Sequence, residues 1–211
     1  MWDNVFGWVG NNLLGWLRGT AVLLLCVMLT GILFIGTGVF DAQPVGVLQA
    51  VYRPFGQIDV GQSRRVVWLD APLPHEDFSV RVTAVYQSGE SDSLCGLAIG
   101  NDEGYLFVGV SPSGYVTVEQ STSPQSSVLS PQPLVPFQTW PHVHAGTEPN
   151  EIWIDVIGDE VTVRINRELL WAGEVAGAGG QVGVVVESFG ETAVFDFPML
   201  QLFWEAHHEV Q

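Results

Sequence analysis

FSVRVTAVY, residues 78–86, decides the fold. Phe78, Val80, Val82, Ala84 and Tyr86 are apolar or aromatic, while Ser79, Arg81 and Thr83 between them are polar. A period of two marks an extended strand with one buried face. The same alternation repeats outward in both directions. It predicts strands over 94–100, 104–110, 114–120, 150–157, 160–166, 168–175, 181–187 and 193–203, with earlier ones over 47–52, 56–60 and 64–69. Turn signals separate them: Asn101-Asp102-Glu103-Gly104, Pro112-Ser113-Gly114, Gly158-Asp159 and Gly177-Ala178-Gly179-Gly180. No helical pattern follows residue 40. Many short strands joined by tight turns predict an all-β antiparallel sandwich. The exception is Ser121-TSPQSSVLSPQPLVP-Phe137, rich in Ser, Pro and Gln, which reads as a long loop.

Upstream the grammar changes. Residues 19–40 are uncharged and apolar, long enough as a helix to cross a hydrocarbon core of about 30 Å. Secretory leaders have shorter apolar cores of about 7–15 residues, so a permanent single-pass anchor is expected. Thr30, Gly31, Gly36 and Gly38 are small residues that permit close approach of another helix. Arg18 precedes the span and Asp41 follows it, which predicts a cytoplasmic N-terminus and an extracytoplasmic β-domain, in the periplasm or at the cell surface. Within residues 1–18, apolar side chains recur at spacings of three and four, with Trp2, Trp8 and Trp16 suited to the headgroup layer. The predicted organisation is therefore an amphipathic segment 1–18, a transmembrane helix 19–40, a linker 41–54, a sandwich 55–204 and a tail 205–211.

The chain has twenty-three acids against seven bases, a formal net charge of −16, and every base is arginine. Such a balance excludes nucleic acid and anionic lipid surfaces as partners of the soluble part. Cys26 lies in the apolar span and Cys95 in a predicted strand, so no disulfide is expected between them.

The run Asn150-EIWIDVIGDEVTVRIN-Arg167 resembles the hairpin of the concanavalin A-like lectin/glucanase (laminin G-like) sandwich, with Arg167 where glycine is common. Gly180-QVGVVVES and Ala193-VFDFPMLQLF resemble that fold's later strands. Gly96-LAIG and Tyr105-LFVGVSPSGYVTV resemble its middle ones. The resemblance implies a jelly roll and leaves the activity open.

The chemistry of the look-alike glucanases is not found. Their carboxylate strand has its nearest counterpart in Glu151-Ile-Trp153-Ile-Asp155, where Trp153 stands in place of an acid. Residues four apart on a strand lie about 13 Å apart, whereas glycosidase carboxyl pairs sit about 5–9.5 Å apart. His142, His144 and Glu148, the pair His207-His208, and the acidic turn Asn101–Glu103 are weak metal candidates. Neither a nucleophile elbow nor a phosphate loop occurs. No catalytic residue, metal or cofactor is therefore expected.

Aromatic residues remain. Trp68, Tyr86, Tyr105 and Tyr115 are available, and Trp140, Trp153 and Trp171 are the candidate ligand or partner contacts, with Trp153 and Trp171 expected to face one another. Two functions follow. One is a non-catalytic accessory subunit of a larger membrane protein complex, for which an energy-converting assembly would be a natural host. The alternative is a membrane-tethered carbohydrate-binding, lectin-like module.

Overall fold

A computed structural model describes residues 2–36, 41–53, 57–61, 63–73, 77–101, 104–121, 132–175 and 178–205. The chain divides into two compact units, Met1–Ala42 and Gln43–Gln211. The first holds one helix, α1 (Trp2–Gly36). The segment predicted to be separate from the span is continuous with it, because Gly7, Gly10 and Gly15 weaken a helix without ending it. Its stretch Gly15–Gly36 is long and apolar enough to cross a membrane, and none of it is buried in the protein. Cleaved leaders meet the same criterion. Thr20 and Thr30 donate their hydroxyls to the carbonyls of Trp16 and Cys26, 2.6 and 2.8 Å away, so neither exposes an unpaired donor. Gly15 and Gly19 leave a groove beside Trp16, Thr20 and Leu23. Gly38 lies outside the described residues, as do the side chains of Trp2 and Trp8.

The second unit is a sandwich of two antiparallel sheets. Its strands are β1 (Val47–Tyr52), β2 (Gln57–Val60), β3 (Arg64–Pro72), β4 (Phe78–Gly89), β5 (Leu94–Asn101), β6 (Gly104–Val110), β7 (Tyr115–Ser121), β8 (Gln132–Thr139), β9 (Asn150–Ile157), β10 (Glu160–Ile165), β11 (Glu168–Glu174), β12 (Gln181–Glu187) and β13 (Ala193–Trp204). The seven-stranded sheet runs β1-β13-β4-β9-β10-β11, with β2 on the other half of β13. The six-stranded sheet runs β3-β12-β5-β6-β7-β8. Two differences from the sequence reading stand out. β1 matches the strand predicted over 47–52, but that stretch was assigned to the linker and instead pairs with β13, so the sandwich starts before residue 55. β8 lies partly in the expected loop and pairs with β7.

The predicted alternation sets the core. Val80, Val82, Ile152, Ile154, Val163 and Leu200 of one sheet meet Leu97, Val108, Val118 and Val184 of the other, all essentially buried. Each such side chain contributes about 1.5–3 kcal/mol by leaving water. Cys95 is buried among them, which pushes its thiol well above the usual range. Cys26 is exposed on the helix.

Candidate functional site

Residues of opposite parity lie on the outer faces, where a simple sandwich is wet. On the six-stranded sheet that face is largely closed. Leu94, Ala98, Tyr105, Phe107 and Val185 are buried there, with Val66 and Trp68 packed against them. Glycines make this possible. A Cβ on Gly109 would stand 2.6 Å from Cζ of Phe107, and one on Gly183 would stand 2.8 Å from Cε3 of Trp68. The two rings therefore lie flat over bare backbone. Trp68 meets Tyr105 edge to face at 5.9 Å between centroids.

Arg64 crosses the same face. Its Nη2 donates to Oε2 of Glu119 at 2.7 Å and to Oε2 of Glu187 at 2.6 Å, and its Nε donates to Glu187 at 3.0 Å. Glu187 is its direct neighbour on β12. Glu119 lies on β7, beyond β12, β5 and β6. Four strand spacings in a flat sheet amount to about 19 Å, more than the two side chains and one hydrogen bond can span. The sheet is thus curved, with this face concave. The guanidinium rests 4.6 Å from the centre of the Phe107 ring. Burial alone would lower its pKa. The hydrogen bonds and charges of Glu187 and then Glu119 outweigh burial and raise it above the ordinary arginine value.

The outer face of the seven-stranded sheet carries a second charged cluster. Arg81, Trp153 and Arg164 stand in one cross-strand row. The Arg81 guanidinium lies 3.5 Å from the centre of the Trp153 ring. Trp153 donates to Oδ1 of Asp155 at 2.5 Å, and Ser79 donates to the same oxygen. Burial pushes the Asp155 carboxyl up, against those two hydrogen bonds, and burial lowers Arg81.

The candidate tryptophans therefore separate. Trp153 is fully buried beneath Arg81 on the outer face and presents no ring to a ligand. Trp171 pairs with the core residue Val163, so it lies on the opposite face of the sheet from Trp153, over Gly173, and does not meet it. Trp140 is half-buried with its Nε1 unpartnered, tilted against His142 at 5.6 Å. His144 Nδ1 lies 2.9 Å from the Pro149 carbonyl, in an exposed loop pinned by Asn150. Among the described residues no group of three or more His, Cys, Asp or Glu is placed to hold a metal. His207, His208, Asp102 and Glu103 lie outside them. Trp68 stood among the available aromatics in the sequence. Arg64, Glu119 and Glu187 did not, because only sheet order and curvature bring them together.

No protein-family profile and no curated protein matches the chain. Solved structures do. An endo-acting O-glycanase of the human gut microbiota is 7% identical, with a TM-score of 0.53 over 71% of this chain and 79% of that one. A Bacteroides ovatus mixed linkage glucan GH16 protein, solved with a bound product, is 7% identical, with a TM-score of 0.51 over 69% of this chain and 79% of that one. Identity this low establishes the fold alone, and that fold is consistent with the expected concanavalin A-like sandwich.

Proposed function

We propose that the protein is a non-catalytic, membrane-tethered carbohydrate-binding module that holds glycan on the concave face of its six-stranded sheet. One observation carries this reading: a partly buried ring, Trp68, backed edge to face by the buried Tyr105, shares a concave surface with the charged groups Arg64, Glu119 and Glu187. A sugar needs both, an aromatic ring for its C–H face and charged partners for its hydroxyls. The shared fold with glycan-active proteins supports the reading. The non-catalytic part rests on Arg64. Its guanidinium fills the gap between the two carboxylates, where a scissile bond and a water would have to enter. Gly15–Gly36 supplies the tether, and Arg18 in its first turn with Asp41 beyond its end favours an extracytoplasmic sandwich. A glycan array and affinity electrophoresis on the detergent-solubilised chain test it. Binding should weaken roughly tenfold or more in Trp68→Ala, the cost of about 1–3 kcal/mol for an anchoring aromatic. Flat responses to every glycan would remove the reading.

The groove at Gly15 and Gly19 favours a second reading, an accessory subunit whose helix packs against another membrane helix. It predicts copurification with partner subunits in mild detergent. Recovery as a lone monomer in every detergent tested counts against it.

A further inference from the structure

The charge of the concave face decides which sugars it takes. Arg64 is its one cation among the described residues, and most of its fork is engaged: Nη2 serves both carboxylates and Nε serves Glu187, which leaves Nη1 alone to donate outward. Phe107 covers one side of the guanidinium. What the cluster still offers is mainly acceptor oxygen. Oε1 of Glu119 takes only a 3.3 Å contact from the Thr117 hydroxyl. One guanidinium against two carboxylates leaves a net negative charge. The three side chains are 17–18% exposed, so water screens that charge incompletely. The chain's formal charge of −16 adds a field of the same sign.

An acidic sugar seeks a free two-pronged arginine edge and would meet a single Nη1 beside two carboxylates. Hydroxyl and ammonium groups donate, and match the acceptors present. We infer that the Arg64–Glu119–Glu187 cluster makes this face selective for neutral and amino sugars and against sugars bearing carboxylate or sulfate. The inference rests on the carbohydrate-binding reading above.

The test compares three probes against the full chain in detergent at low salt: a neutral β-glucan oligosaccharide, a chitosan oligosaccharide and an oligogalacturonate. The first two should bind, and the uronate should bind at least roughly tenfold more weakly or not at all. Raising salt to about 0.5 M should narrow the difference between chitosan and uronate, a readout that needs no variant. Glu187→Gln and, independently, Glu119→Gln should strengthen uronate binding relative to the neutral probe, each checked for an unchanged thermal melt. Uronate bound as tightly as the neutral sugar overturns the selectivity and leaves the glycan reading standing. No binding of any of the three overturns the glycan reading and the inference with it.

Discussion

Arg167 has a φ of 75° and follows Asn166 at 51°, so two left-handed residues close the two-residue turn between β10 and β11. That geometry belongs to a type I′ hairpin, whose second position favours glycine. Asn166 fits its place. It joins the turn to Glu151, Asn150 and His142 by hydrogen bonds of 2.7–2.8 Å. A side chain at the second position costs about 1 kcal/mol, so Arg167→Gly should raise the melting temperature, whereas Arg167→Ala should not. Two carboxyl groups shape the acid side of stability in opposite senses. The Ser188 hydroxyl, opposed by burial and helped by the Gly190 and Phe189 amides, holds Glu90 below the usual carboxylate range. Its contribution is present above the unfolded value of about 4.3 and is lost as pH falls through its folded one. Asp155 is raised, so its contribution is full below about 3.9 and is lost as pH climbs through its folded value. Urea midpoints between pH 2.5 and 7 should show Asp155→Asn gaining on the parent chain as pH rises, and Glu90→Gln losing ground over the same climb. Curves parallel to the parent's would refute both assignments. At this scale the sequence showed Arg167 in a glycine's place, but it misjudged Trp153, which lies on the opposite face from Trp171 rather than facing it. It could not show Arg81 lying across the Trp153 ring, because the two meet only through strand pairing.

Strands were legible wherever apolar residues alternate, and β4 and β10 follow that pattern closely. β8 escaped because Pro133 and Pro136 break the pattern and remove two donors. At the edge of the six-stranded sheet only one side of the strand is paired, so proline is tolerated there. It also blunts the edge against pairing with another chain. The concave floor makes a sharper demand on its strands. A methyl on Gly96 would strike the Val108 carbonyl, which is backbone and cannot yield. A methyl on Gly109 would press on the Phe107 ring, which can turn. Gly96→Ala should therefore cost about 3 kcal/mol and Gly109→Ala about 1–2 kcal/mol, measured by equilibrium unfolding. Equal costs would mean that the floor gives as easily at backbone as at side chain. Sequence alternation alone gave no hint of this floor, since glycine carries no polarity to mark a face.

The whole molecule combines two units whose surfaces obey opposite rules. Gly15–Gly36 turns apolar side chains outward, as a lipid-facing helix would, while the sandwich hides its own and carries most of the negative charge. The two cysteines report on the two units separately. Cys26 is exposed on the helix, and Cys95 is enclosed between the sheets with its thiol held protonated by burial. In detergent near neutral pH a small maleimide should add one label per chain, at Cys26, and a second only after urea opens the sandwich. Cys26→Ser should leave the native chain unlabelled. In bilayers a charged maleimide should not reach Cys26, because the residue lies eleven positions into a stretch whose helical length matches about 30 Å of hydrocarbon. Two labels on the native chain would mean the sheets do not close over Cys95. Reaction of Cys26 with the charged reagent in intact bilayers would mean that α1 does not span, and the tether would go with it.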